Sequence, residues 1–157
     1  MVIASVLFMK RAGDLVEESV DINPVSAGDR ELLWDDEKDI HPDIYKKVHI
    51  LRLDGPLFFG VVNRFRDQFS MVPPDVEVMI IRMRKVAFID QSGLYAIEDA
   101  VRTLKSNNVK VLFTMIQEQP LYMMKRVKMI PALIEEEFVF DSFSACAEFL
   151  RDKFEKT

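Results

Sequence analysis

Residues 78–105 read VMIIRMRKVAFIDQSGLYAIEDAVRTLK, and they hold a strand pattern followed by a helix pattern. Residues 78–81 are apolar at every position, which is typical of a central strand that is covered on both faces. After a polar loop, apolar side chains recur at helical spacing, at Leu94, Ile97, Val101 and Leu104. A buried strand that leads through a short loop into an amphipathic helix predicts an α/β domain.

The chain on either side of this stretch continues the alternation of strands and helices. Strands are predicted at 48–53, 76–83, 110–116 and 138–140, and helices at 61–69, 93–105, 120–128 and 142–154. Turn residues separate several of these elements, as at Asp54-Gly55-Pro56. Because strands that are joined through helices usually pair in parallel, the second half of the chain predicts a mostly parallel sheet.

Composition limits the function classes that the chain can serve. A length of 157 residues fits one domain, and the net charge of −5 argues against a protein that binds nucleic acid through its phosphates. One cysteine excludes a disulfide framework, and two histidines leave little for a metal site, so we expect none. Neither GxGxxG nor GxxxxGK[ST] occurs, so we expect no cofactor held by the common nucleotide-binding loops.

The negative charge is concentrated in one segment, residues 12–45, which we call the acidic lead. It holds eleven acidic residues against two basic ones, together with turn signals such as Asn23-Pro24 and Gly28-Asp29. This pattern predicts an extended, solvated connector. We expect it to contribute little to the core, apart from contacts by Leu32, Leu33 or Trp34.

The chain before the acidic lead, residues 1–11, contains an apolar run at 2–9 and the basic pair Lys10-Arg11. The run is too short to span a bilayer, and the basic pair follows it, which is the reverse of the order in a signal peptide. One interpretation is the cytoplasmic end of a membrane helix, because basic residues flank such helices on that side. An ordinary buried strand or helix turn is equally compatible with the sequence.

Ser92 and Asp90 are the main chemical candidates, because they lie where a loop enters the helix. Ser92 occupies the expected N-cap position, where its hydroxyl accepts from backbone N–H groups, and Asp90 adds negative charge near the helix N-terminus. The structural interpretation is a simple cap. The functional alternative is a phosphorylated serine, whose phosphate gains from the helix N-terminus and is repelled by Asp90.

Other polar and reactive residues indicate structural roles. Asp90 could act as a general base beside a nucleophilic Ser92, but no histidine lies nearby and the GxSxG elbow is absent. We therefore expect that the protein is not an enzyme. Cys146 lies on an apolar helix face and is predicted to be a core thiol. The central strand ends in three basic residues, Arg82, Arg84 and Lys85. They are expected to form a solvated rim; the alternative is that they help to bind an anion.

Residues from about 46 to 154 resemble a STAS domain, the fold shared by bacterial anti-sigma-factor antagonists and the cytoplasmic domains of SulP-type anion transporters. The resemblance rests on residues 88–94, FIDQSGL, after a hydrophobic strand, and on the order of the elements around them. In the antagonists this position reads Asp-Ser/Thr-Ser-Gly, and Ser92 matches the residue that is phosphorylated. Gln91 departs from that pattern. The resemblance implies an α/β fold with a mixed central sheet flanked by about four helices.

Three further features are similar to the transporter branch. Residues 54–60, DGPLFFG, resemble a G-P-L-F-F segment of bacterial SulP proteins, and Gln119-Pro120-Leu121 is similar as well. The acidic lead resembles the junction between the last membrane helix and the STAS domain. We therefore assign residues 1–11 to the end of that helix, 12–45 to a connector and 46–157 to the STAS domain.

The resemblance implies a regulatory or assembly domain of a secondary transporter of sulfate-like anions, at the cytoplasmic face of the membrane. Its implied partners are the membrane domain of the same transporter, a cytosolic regulatory protein or a second copy of the chain. Leu57, Phe58 and Phe59 are consecutive and cannot all face one side of a strand, so we expect at least one at the surface, in a partner groove. Ser92, Gly93 and Leu94 are expected to form a weak site for an anion or nucleotide phosphate. The alternative is a stand-alone antagonist that is controlled by phosphorylation of Ser92.

Overall fold

A computed structural model describes residues 21–26, 33–40, 42–70 and 72–154. The predictions for residues 1–11 and for Leu32 therefore lie outside the described residues. Within the described part of the chain, every helix is too short or too polar to cross a membrane.

Five strands form one mixed sheet in the order β1-β2-β3-β4-β5. Strand β1 pairs antiparallel with β2, and β2 to β5 pair in parallel. The strands are β1 (Asp21–Ser26), β2 (Val48–Asp54), β3 (Val78–Lys85), β4 (Lys110–Thr114) and β5 (Val139–Phe140). The parallel second half and the short edge strand near residue 139 are confirmed, whereas β1 was not predicted, because it lies within the acidic lead.

Four helices of nine residues or more flank this sheet in the described part of the chain, which confirms the predicted number. They are α2 (Val62–Ser70), α3 (Gln91–Ser106), α4 (Glu118–Arg126) and α6 (Phe143–Phe154). Shorter segments are the single turns α1 (Pro42–Tyr45) and α5 (Met129–Ala132), and the 3-10 turns Asp35–Asp39 and Glu136–Phe138.

Two apolar cores lie on opposite faces of the sheet. Strand β3 contributes to both, since Met79 and Ile81 belong to the first core and Val78 and Ile80 to the second, all of them buried. The prediction of a central strand covered on both faces is confirmed. In the second core Cys146 is fully buried, and burial raises the pKa of its thiol to about 12, as expected of a core cysteine.

The second core also includes part of the acidic lead. Leu33 is buried, and Trp34 is partly exposed over the sheet face, so these two predicted contacts are present. Ile40, Ile44 and Tyr45 are buried as well, which the sequence did not predict. The expectation that the acidic lead adds little else to the core is therefore wrong for residues 33–45. The physical reason is that short helical turns bring these apolar side chains onto the face of the sheet that α6 also covers.

A buried carboxylate attaches this segment to the sheet. Glu37 is fully buried, and its Oε1 accepts hydrogen bonds from Arg52 Nε at 2.9 Å and from Arg82 Nη1 at 2.6 Å. Its Oε2 pairs with Arg52 Nη2 and accepts from the Trp34 backbone N–H at 2.9 Å. Arg82 also pairs with Asp36, at 2.6 Å. Because a buried guanidinium is costly without a partner, Glu37 and Asp36 make the burial of Arg82 tolerable.

The predicted solvated rim at the end of β3 is thus wrong for Arg82, which is 2% exposed. Arg52 and Arg82 are direct neighbours across β2 and β3, and both point to the face that receives Glu37. Trp34 covers the pair, with its ring centroid 4.4 Å from the Arg52 guanidinium carbon and 4.7 Å from that of Arg82. Arg84 and Lys85 are exposed, as expected of a rim, and Lys85 pairs with Asp54 at 2.5 Å.

Glu37→Gln is expected to lower the free energy of unfolding by about 3 kcal/mol, because it removes the negative charge that two buried guanidinium groups share. Asp35→Asn is the matched control, since Asp35 lies two residues away and its side chain is fully exposed. Urea unfolding of both variants measures the difference. Equal unfolding midpoints for the two variants would show that the buried pairs do not hold the segment in place.

Candidate functional site

The candidate site is the loop at the carboxyl end of β3 together with the first turn of α3. Asp90, rather than Ser92, is the N-cap of α3, and its Oδ1 accepts from the Gly93 N–H at 2.8 Å. The predicted Ser92 cap is thus corrected, because the helix begins at Gln91 and Ser92 is already inside its first turn. The second oxygen, Asp90 Oδ2, accepts from the Phe59 N–H at 3.2 Å, so one carboxylate connects two segments.

Leu57 runs alongside this loop as a short parallel bridge to Ile89. The Leu57 N–H donates to the Phe88 carbonyl at 2.9 Å, and the Asp90 N–H donates to the Leu57 carbonyl at 3.1 Å. The approach is so close that a Cβ at Gly93 would lie 2.5 Å from the Leu57 carbonyl oxygen. Glycine is therefore required at position 93 by backbone packing, which needs no functional explanation.

Gln119 fixes the other side of the loop. Its side-chain amide pairs with the backbone of Ile89 in both directions, accepting from the N–H at 2.9 Å and donating to the carbonyl at 3.1 Å. Gln117, two residues earlier, donates to the Arg84 carbonyl. The sequence indicates Gln119 only as part of the Gln119-Pro120-Leu121 motif. Its role could not be predicted, since spacing alone does not show which distant backbone groups a glutamine will bind.

The three consecutive apolar residues of the expected partner groove differ in burial. Leu57 is buried, Phe58 is half-buried, and Phe59 is 75% exposed. Phe58 packs against the first core and meets the Phe59 ring edge-on, with centroids 5.7 Å apart. The structure thus places one member of the trio at the surface, beside the Asp90 loop. That this surface receives a partner stays a prediction.

Phe59 is accompanied by two other exposed aromatic side chains near Asp90. Phe88 is 50% exposed and Tyr95 is 57% exposed, and the Tyr95 hydroxyl accepts from Gln91 Nε2 at 2.9 Å. We call Phe59, Phe88 and Tyr95 the aromatic surface. Exposed aromatic side chains are enriched at surfaces that bind another protein.

The same geometry weighs against catalysis and anion binding at this loop. Both oxygens of Asp90 accept from backbone amides, which suits a cap better than a general base. The amides of Gly93 and Leu94 already have acceptors in the Asp90 carboxylate and carbonyl, so an anion would have to displace them. The site at Ser92, Gly93 and Leu94 remains a prediction without structural support.

Metal-ligating residues do not cluster anywhere in the described ranges, where no group of three or more His, Cys, Asp or Glu could hold an ion. His49 is buried in β2, and burial lowers the pKa of its imidazole. It therefore belongs to the core.

Asp90→Ala is expected to lower the free energy of unfolding by about 1–2 kcal/mol, because the cap of α3 and the tie to Phe59 are both lost. Ser92→Ala, which removes no cap, is expected to change it by less than about 0.5 kcal/mol. Thermal or urea unfolding of the two variants measures this. A larger cost for Ser92→Ala than for Asp90→Ala would restore Ser92 as the capping residue.

Comparisons with known proteins agree with this architecture. The family model described as STAS domain matches residues 38–144. Probable sulfate transporter 4.2 of Arabidopsis thaliana is 21% identical over 122 residues, which cover 68% of this chain and 18% of the transporter. The chain thus spans less than a fifth of the length of that relative.

Solved structures share the fold. A sulfate transporter family protein from Wolinella succinogenes is 28% identical, with a TM-score of 0.63, over 69% of this chain and 88% of that one. The SulP transporter STAS domain from Vibrio cholerae is 20% identical, with a TM-score of 0.59, over 70% and 84%. A putative anti-sigma factor antagonist from Thermotoga maritima is 14% identical, with a TM-score of 0.57, over 67% and 88%. Since the family match covers most of the chain and the fold agrees with it, this protein belongs to the STAS domain family.

Proposed function

We propose that the chain is the regulatory or assembly STAS domain of a SulP-type secondary transporter of sulfate-like anions. It lies at the cytoplasmic face of the plasma membrane as part of an integral membrane protein. The observation that carries the proposal is its similarity, at 28% identity, to a protein of the sulfate transporter family over 88% of that chain. The similarity to the probable sulfate transporter of Arabidopsis thaliana also supports this proposal.

The proposed role of the domain is to bind another protein domain, and this role requires no catalytic group in this chain. The aromatic surface supports it, because Phe59, Phe88 and Tyr95 expose large apolar rings around a rigid loop. Asp90, Gln119 and the Leu57 bridge hold the backbone of that loop in place. A preorganised surface loses little conformational entropy on binding. We propose the membrane domain of the same transporter as its partner.

The packing of residues 33–45 also supports the docking role. In such a transporter the acidic lead follows the membrane domain. Strand β1 of the lead pairs with β2, and Glu37 attaches residues 33–45 to β2 and β3 through buried ion pairs. A movement of the membrane domain would then displace the sheet as well, because the intervening segment is attached to it.

The sequence of the gene upstream of the codon for Met1 tests the transporter assignment. The proposal expects a continuous reading frame with about a dozen hydrophobic spans of roughly twenty residues each. A start codon at Met1, with no membrane protein encoded beside it, would favour the stand-alone antagonist. In that case Ser92→Asp should abolish binding to a partner kinase and leave the fold intact.

Phe59→Ser is expected to weaken docking to the membrane domain while changing the free energy of unfolding by less than about 0.5 kcal/mol, since the ring is mostly exposed. Val127→Ser is the matched control, because Val127 is 52% exposed and follows the end of α4. Co-purification of each variant with the separately expressed membrane domain measures docking. Equal retention of the two variants would remove the aromatic surface from the proposal.

A further inference from the structure

The end of α4 forms a second candidate interaction surface. Lys125 and Arg126 lie in the last turn of this helix, and Lys128 lies two residues beyond it. All three residues are exposed, and so is Tyr122, which lies one turn earlier and is 59% exposed. We call Lys125, Arg126 and Lys128 the basic turn. It brings three positive charges together within four consecutive residues.

The charges of the basic turn are not neutralised by neighbouring acids. Within the described part of the chain, none of its three cations forms an ion pair with a carboxylate. Glu98 borders the same cavity as Lys128, but it already binds Arg102, at 2.7 Å. Glu118 lies in the first turn of α4, about 10 Å from Lys125 along the helix axis. The whole chain has a net charge of −5, so this positive charge is a local excess.

Tyr122 gives the basic turn an aromatic neighbour. Its hydroxyl accepts a hydrogen bond from Arg126 Nη1 at 3.5 Å, and its ring centroid lies 6.0 Å from the guanidinium carbon. Tyrosine, lysine and arginine each combine an apolar body with a polar tip, and such side chains are favoured at the boundary between lipid and water. Cations in a last helical turn also stabilise the helix through its dipole, but this effect does not account for Lys128 or for the exposed ring.

The basic turn lies on a helix face that leads away from the aromatic surface. Gln119, Tyr122 and Arg126 are three and four residues apart in succession, so they share one face of α4. Gln119 binds the backbone of Ile89, in the loop that carries Phe88. Arg126 therefore lies about 10 Å along the helix axis from the residue that contacts this loop. The basic turn thus extends the surface to which the proposed function assigns docking.

We propose that the basic turn and Tyr122 bind the surface of an anionic lipid bilayer. The charges are complementary, because the cytoplasmic leaflet carries anionic headgroups that attract clustered lysines and arginines. Each basic residue near such a surface strengthens binding about fivefold, so three of them give a contact that is weak alone and effective in a domain already tethered to the membrane. The inference goes beyond the proposed function, and its test does not depend on the transporter assignment.

Flotation of the whole chain with lipid vesicles tests the proposal. At about 0.1 M salt, vesicles of equal parts phosphatidylglycerol and phosphatidylcholine are expected to bind the chain, and vesicles of phosphatidylcholine alone are not. Binding should disappear at about 1 M salt, where the Debye length is about 3 Å. Lys125→Gln and Lys128→Gln are each expected to weaken partitioning about fivefold, because one charge near the lipid surface is lost. Both residues are exposed, so the fold should be unchanged.

Lys46→Gln is the matched control, since it removes the same charge from an exposed residue between α1 and β2. Its partitioning should equal that of the unmodified chain. No binding to anionic vesicles, equal binding to neutral ones, or equal losses in Lys46→Gln and Lys125→Gln would each overturn the proposal. Binding of soluble polyglutamate without binding to vesicles would overturn it in favour of an acidic protein partner. A loss in Phe59→Ser but not in Lys125→Gln would overturn it by moving the lipid contact to the aromatic surface.

Discussion

The ion pairs between Glu37 and two arginines of the sheet are the constraint on which the rest of the structure depends. Arg52 and Arg82 are neighbours on β2 and β3, and their guanidinium groups lie on a buried face. Without an acidic partner the two charges would repel each other in a poorly solvated environment. Residues 33–45 provide that partner, so they are part of the domain, although their composition is that of a solvated segment.

The two ends of the sheet have different physical characters. At the carboxyl end of β3 the polar groups of the loop are satisfied internally, by Asp90 and Gln119, and large aromatic rings are left exposed. At the amino end, lysines gather around an open cavity. The first arrangement favours contact with an apolar protein surface.

Much of the fold could be predicted from the sequence, because it depends on local periodicity. The continuous apolar run of β3 and the helical spacing from Leu94 to Leu104 indicated a covered central strand and a packed helix, and both are present. The composition of the acidic lead predicts a solvated connector, because an average over many residues hides the few that are buried. Its charge concealed Ile40, Ile44 and the buried carboxylate of Glu37. The arginines within the apolar strands, Arg52 and Arg82, indicate such a partner, since a buried arginine requires an acidic residue elsewhere in the chain.

The site was less predictable, since it depends on contacts between distant segments. The sequence predicts the N-cap at Ser92, two residues after its position in the structure, because both Asp90 and Ser92 are good capping residues and only the backbone geometry distinguishes them. The close packing of Gly93 on Leu57 and the pairing of Gln119 with Ile89 join residues about thirty positions apart.

The claim that residues 33–45 belong to the folded unit is tested most directly by comparing two truncations in urea unfolding. Removal of residues 1–28 keeps Glu37 and is expected to leave a cooperative transition, since only the edge strand β1 is lost from the described sheet. Removal of residues 1–45 strips Arg52 and Arg82 of Glu37, and we expect an aggregated or non-cooperatively unfolding protein. Cooperative transitions with the same midpoint in both truncated proteins would contradict this account.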